Sequence, residues 1–238
     1  MSNLLAVITA TDKEEEAVRK LLPEIREEQG PAGLTFALGE LSGRPCVAVR
    51  AGIGKVNAAL CTQALIDRYR PAAVINVGVA GALDPTLRIA DVVIAECAVQ
   101  HDIDTAFFGD PLGTVPGLGT VEIPADETVA AALREACGKA GVSCKVGKVL
   151  SGDQFICAAE KKQWLVSQFG GSCTEMEGAS IAQVCALNGV PFGILRGISD
   201  GAGDEAGMQY EEFAAMSAAR AARILAELGP VFAEEVSE

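Results

Sequence analysis

One pattern constrains this chain more than any other. Short apolar runs, too short for core helices, alternate with stretches of helical periodicity from one end to the other. Residues 4–9 read as a buried strand. In residues 14–22, Ala17, Val18, Leu21 and Leu22 then fall on one helical face. Further strands are expected at 35–41 and 44–51, split by the turn signal Ser42-Gly43, and at 73–79, 91–99, 145–151 and 190–196. Helices are expected at 55–69, 126–140, 158–168, 178–188 and 210–228. Residues 102–120 carry six Gly or Pro and read as a long loop, a length that in compact domains usually serves function.

Strands separated by helices pair in parallel and are covered on both faces. The composition agrees: 50% hydrophobic but only 5% aromatic, so the core is built from aliphatic side chains. The expectation is one α/β domain over residues 1–238, a three-layer α/β/α sandwich around a mixed, mostly parallel sheet. No linker or repeat interrupts the pattern, and 238 residues suit a single domain.

The net charge of −13 is opposite in sign to what phosphate neutralisation requires, so neither nucleic acid nor an anionic membrane is an expected partner. No run of about 18 apolar residues offers a membrane span. The N-terminal residues lack the charged and apolar regions of a signal peptide. The eight Cys include no CxxC pair and there is one His, so no metal site is expected. The thiols read as small core residues of a cytoplasmic protein.

In parallel α/β folds, ligands bind beyond the carboxyl ends of the strands. Four polar clusters fall there: Thr11-Asp12-Lys13-Glu14, the Gly-rich segment Asn76 to Gly81, Glu175-Met176-Glu177-Gly178, and Arg196-Gly197-Ile198-Ser199-Asp200. Carboxylates from distant segments that meet in one crevice suit acid/base work with divided roles. Each cluster also has a plainer reading. Asp12, Glu14, Glu175, Glu177 and Asp200 could serve as caps or first-turn acids, and the glycines as a tight turn. Gly52-Ile53-Gly54-Lys55 lacks the spacing of a phosphate loop or a dinucleotide fingerprint.

Read together, the segments 51–59 (Ala-Gly-Ile-Gly-Lys-Val-Asn-Ala-Ala), 151–156 (Ser-Gly-Asp-Gln-Phe-Ile), Glu175-Met176-Glu177 and 196–200 resemble the 5′-methylthioadenosine/S-adenosylhomocysteine nucleosidases of the nucleoside phosphorylase superfamily. The resemblance covers nearly the whole chain. It implies a nucleoside phosphorylase-like fold, a small-molecule nucleoside substrate, no cofactor, a homodimer and a place in methionine salvage. It also implies cleavage between adenine and a 5′-substituted ribose. Such cleavage leaves an oxocarbenium-like sugar and a departing purine, so it needs an acid for the base and a carboxylate for water, as in glycosidases.

By the same resemblance, Glu14 activates water, Asp200 protonates adenine N7 with support from Ser199, and Glu177 binds the ribose hydroxyls. Met176 packs beside the ribose, Phe155 stacks on adenine, and the Ile156 backbone reads the adenine edge. Arg196 is structural or water-positioning. Ile53 and Val79 line the pocket, and Tyr210 lies near the 5′ side. Thr105, Phe108, Leu112 and Pro116 would reach the neighbouring subunit's 5′ pocket. The chain departs from the family at Thr11, where Met is usual, at Val79, where Ser is common, and at Thr105, which is often apolar. These departures bear on the 5′ group. Aminodeoxyfutalosine hydrolysis is therefore an alternative. Glu14 disfavours phosphorolysis, because a carboxylate would repel a phosphate dianion at the attack position. A non-catalytic adenosine-binding module would not need both an acid and a base. His101 is expected to play a structural hydrogen-bonding role.

Overall fold

The computed structural model describes residues 3–201 and 206–234. The chain runs β1 (Leu5–Thr9), α1 (Asp12–Arg19), β2 (Arg26–Gln29), β3 (Thr35–Leu41), β4 (Arg44–Arg50), α2 (Lys55–Tyr69), β5 (Ala73–Ala82) and β6 (Val92–Gln100). It continues with β7 (Ile123–Pro124), α3 (Glu127–Lys139), β8 (Cys144–Ser151), α4 (Ala159–Phe169), β9 (Cys173–Glu175), α5 (Gly178–Asn188), β10 (Phe192–Asp200) and α6 (Ala206–Glu234).

The strands form one mixed sheet with its parallel ladders at the centre. β4, β1, β5 and β10 lie side by side in parallel. β3 and β2 extend the sheet antiparallel beyond β4. On the other side the sheet closes: β10 pairs with β6, β6 with β8, β8 with β9, and β9 returns to the end of β5. The sandwich is thus curled into a ring at one end, which alternation in sequence does not specify.

Side chains alternate across the strands. Leu5, Val7, Ile75 and Leu195 join Leu133 and Leu225 in the core beneath α3 and α6. Ala6, Ile8, Val74 and Ile194 join Cys61, Leu65 and Ala182 beneath α2 and α5. Each buried Val, Leu or Ile among them contributes about 1.5–3 kcal/mol by leaving water. α4 covers the ring through Leu165 and Phe169, which pack on Leu83, Val99 and Leu150.

Two differences from the sequence reading shape the site. β5 and β10 run on to Ala82 and Asp200, past the expected ends at 79 and 196, so the polar clusters expected at those strand ends are themselves strand. Their ladder continues from Phe192↔Val74 to Asp200↔Gly81, with an irregularity before Asp200. Three short strands also escape sequence reading. β2, Arg-Glu-Glu-Gln, is a charged edge strand with no apolar alternation, and β7 and β9 have two and three residues. Residues 102–120 are irregular apart from a short 3-10 helix at Ala106–Phe108 and a bridge between Val115 and Thr120.

Candidate active site

A cavity of about 240 Å³ opens where β1, β5, β9 and β10 end. Glu14 enters it from the first turn of α1. Thr11 is the N-cap, and its hydroxyl accepts from the Glu14 N–H while the Glu14 carboxylate folds back, completing a capping box. Glu14 Oε2 accepts from the N–H groups of Ala10 and Thr11, both at 2.9 Å, and Oε1 accepts from Val79 N–H at 2.9 Å. The capping reading and the functional reading therefore describe the same side chain: the cap aims the carboxylate into the cavity. β5 leaves room for it, since a Cβ on Gly78 would lie 2.6 Å from Glu14 Oε1 and overlap Arg196 Nη1.

Glu175 and Glu177 divide their work. The Glu175 carboxylate accepts from the N–H groups of Glu177 (3.0 Å) and Gly178 (2.8 Å), capping α5, and from the Ser151 hydroxyl. It also pairs with the guanidinium of Arg196, which in turn holds the Asn76 side-chain oxygen. Arg196 is fully buried behind the cavity. With Glu175 committed to the helix end and to Arg196, Glu177 is left to face the cavity, held by Gly54 N–H at 2.8 Å. Burial, followed by the neighbouring Glu175 charge, pushes the Glu177 carboxyl up to about 8, against the opposing pull of Arg196 and the Gly54 N–H. The shift favours its neutral form, a donor suited to sugar hydroxyls. A cationic sugar would favour its ionisation.

This shift predicts a pH-dependent stability. A carboxyl whose folded-state value is raised stabilises fully below its unfolded value, here 4.5, and that contribution is lost as pH rises through about 8. Glu177→Gln does not titrate. Its melting temperature relative to wild type should rise between pH 5 and pH 9 by at least about 3 °C, which corresponds to roughly 1 kcal/mol in a domain of this size. Calorimetry at both pH values checks it, and a constant difference would contradict it.

Asp200 closes the opposite wall. Ser199 Oγ donates to its Oδ1 at 2.9 Å, and burial pushes its carboxyl up, with the Ser199 hydroxyl and Lys162 pulling it back. Its other oxygen lies close to β5, where a Cβ on Gly81 would come within 2.7 Å. Phe155 stands half exposed at the rim, edge-on to Tyr210 with ring centroids 5.7 Å apart.

The profile of the Phosphorylase superfamily matches residues 4–228. The 5′-methylthioadenosine/S-adenosylhomocysteine nucleosidase of Geobacillus thermodenitrificans is 40% identical over 222 residues, covering 92% of this chain and 94% of that protein. This chain belongs to that nucleosidase family. The aminodeoxyfutalosine nucleosidase of Helicobacter pylori is also similar, at 36% identity over 94% of this chain and 97% of that protein. The solved structure of the Neisseria meningitidis methylthioadenosine/adenosylhomocysteine nucleosidase, in complex with methylthio-immucillin-A, superposes with a TM-score of 0.91 at 33% identity. It covers 95% of this chain and 98% of that one.

Of the residues the family resemblance singled out, the fold gathers Glu14, Glu177, Asp200, Thr11, Ile53, Val79, Phe155, Ile156, Met176, Ser199 and Tyr210 around the one cavity. Arg196 lies behind it. The loop residues do not reach it within the same chain: Phe108 is 81% exposed, Pro116 is exposed, Thr105 is half-buried, and Leu112 packs against the α4 cluster. His101 is a correction. It is buried, but among the described residues neither ring nitrogen has a hydrogen-bond partner. Its ring packs on Gly152 instead of hydrogen-bonding, and burial pushes its imidazole down. Sequence reasoning gave Glu175 only a helix-start role, which its bonds to the Glu177 and Gly178 N–H groups fit, and missed Lys162, which is buried against Asp200. The Glu-Met-Glu spacing was a usable signal for Glu175, since two acids at a helix start cannot both cap it. A lysine on a helix gives no such signal.

Proposed function

We propose that the chain hydrolyses the N-glycosidic bond of 5′-methylthioadenosine, S-adenosylhomocysteine or a related 5′-substituted adenosine, giving adenine and the free ribose derivative. One observation carries the reading. Among the described residues, the cavity is lined by Glu14, Glu175, Glu177 and Asp200 and by no Lys or Arg. The Glu14 carboxylate suits a cationic sugar and an attacking water, and with no Lys or Arg in the lining it opposes a phosphate dianion as nucleophile. In this reading Asp200 delivers the proton to the purine and Glu14 takes one from the attacking water. Glu177 holds the ribose hydroxyls. Phe155 and Ile156 embrace adenine, with Met176 against the ribose. The residues 1–238 act as one nucleosidase domain, which the span of the family match supports.

Aminodeoxyfutalosine is the second candidate substrate, favoured by the likeness to the Helicobacter pylori enzyme. The deciding experiment is a panel of kcat/KM values for methylthioadenosine, S-adenosylhomocysteine, aminodeoxyfutalosine and adenosine. Failure to release adenine from any of them would reject the proposal. Thr11 enters the same panel. It lines the cavity as well as capping α1, and it exposes a hydroxyl where the family usually offers Met. Losing one or two methylene contacts costs roughly 1–2 kcal/mol. Thr11→Met should widen the preference for methylthioadenosine over adenosine by about ten-fold. An unchanged ratio would reduce Thr11 to a cap.

The active form is a homodimer in this reading. Exposed Phe107 and Phe108 in the 102–120 loop, and exposed Ile53, Val56 and Leu60 at the start of α2, offer apolar surface for a second subunit. Thr105, Phe108, Leu112 and Pro116 would then cover the partner's 5′ pocket. A fully active monomer in sedimentation velocity would remove that contribution. The eight free cysteines support a reducing, cytoplasmic setting, which cell fractionation checks, and with methylthioadenosine as substrate the reaction belongs to methionine salvage.

A further inference from the structure

Lys162 is the one charged group of α4 that the fold takes fully inside: it is 2% exposed, on a helix whose neighbouring Glu160 and Lys161 are solvated or half-buried. A buried lysine is costly unless its charge is matched. Two partners match it. Its Nζ lies 3.5 Å from Asp200 Oδ2, with both side chains almost wholly out of solvent, and it donates to the carbonyl oxygen of Gly201, the residue that follows.

The two carboxylate oxygens of Asp200 are therefore inequivalent. Oδ1 is occupied by the Ser199 hydroxyl. Among the described residues Oδ2 has no hydrogen-bond partner within normal distance; it faces Lys162 at ion-pair distance and lies over the gap left by the missing side chain of Gly81. An acid that must give up a proton to a base within reach needs one oxygen free for that proton, a fixed orientation, and a stabilised anion after transfer. Ser199 supplies orientation from one side. By binding Oδ1 alone it leaves the other oxygen free, and Lys162 supplies the rest: its charge lies nearest that oxygen and stabilises the anion, and its hydrogen bond fixes the backbone just beyond the acid.

We propose that Lys162 is a positioning residue for the leaving-group proton. It anchors the Asp200–Gly201 backbone from α4 and stabilises the Asp200 carboxylate formed when the acid hands its proton to the purine. The step balances within the known participants: the O–H bond of Asp200 breaks, an N–H bond forms on the purine, and the glycosidic bond pair leaves with the base. Lys162 touches neither substrate nor the moving proton. The proposal rests on the hydrolytic reading above, in which Asp200 is the acid.

The test separates leaving groups. A purine leaves poorly unless it is protonated, whereas 4-nitrophenolate leaves as the free anion. The 4-nitrophenyl 5-methylthioriboside therefore needs the same sugar contacts but no acid. Lys162→Met should lower kcat for methylthioadenosine at least about 30-fold, the lower part of the range for losing acid assistance, while changing hydrolysis of the nitrophenyl riboside less than about three-fold. Lys162→Arg, which keeps the charge and a donor, should recover most of the loss. Equal losses on both substrates would overturn the proposal by making Lys162 a structural residue, and so would no loss on either. Asp200→Asn, run alongside, must show the same split between substrates. If it does not while wild type cleaves both, the assignment of the acid fails rather than that of Lys162. Should Lys162→Met not fold by circular dichroism, Lys162→Gln, which keeps a donor for Gly201 without the charge, carries the same comparison.

Discussion

Asp200→Asn is expected to lower kcat on methylthioadenosine by at least about 10²-fold, with binding of a non-hydrolysable adenosine analogue changed only slightly. The amide keeps the shape and can still accept from Ser199 Oγ, now 2.9 Å from Oδ1, but it has no proton to give. General acid catalysis is typically worth 10²–10⁴-fold. Burial holds the Asp200 carboxyl above the usual range, which keeps a proton available nearer neutral pH than an exposed aspartate would. Single-turnover measurement separates the chemical step from product release. Near-normal turnover in the variant would remove Asp200 from the acid's role.

Glu14→Gln is expected to have an effect of similar size, at least about 10²-fold in kcat, by a different route. The Gln side-chain oxygen can keep some of the three hydrogen bonds from Ala10, Thr11 and Val79 N–H, so the first turn of α1 should persist. It cannot accept a proton from water. Loss of the cap alone would cost only about 0.5–2 kcal/mol of stability, so a folded but inactive variant distinguishes the base from the cap. In wild type, turnover should be unchanged by added phosphate, and the sugar product should be reducing. Ribose 1-phosphate as the main product, or a Glu14→Gln enzyme that turns over normally, would contradict the assignment.

Much of this was legible beforehand because local chemistry repeats. Strands β1, β4 and β8 and helices α2, α3 and α5 follow from short aliphatic runs and helical periods. The residues that line the cavity follow from motifs that stand in the right order. What stayed hidden did so for identifiable reasons. β2 carries no apolar alternation because it is an edge strand, and β7 and β9 are too short for any period to register. β5 and β10 were cut short because their ends carry glycines and polar residues. Those glycines exist because Arg196, Glu14 and Asp200 crowd the ladder, a reason visible only with the neighbouring strand in place.

The sequence by itself determined the alternating α/β plan, because residue type and spacing act along the chain, and its family resemblance pointed to the three acids. Only the tertiary structure decided how each acid is held. Glu175 and Glu177 are two residues apart, yet one is committed to Arg196 and the start of α5 while the other is held by Gly54 N–H, pushed up to about 8 by burial and then by the charge of that neighbour. Lys162 meets Asp200 only because α4 folds across the closed end of the sheet. Burial and the charge of a spatial neighbour set proton affinity, and neither is a property of local sequence.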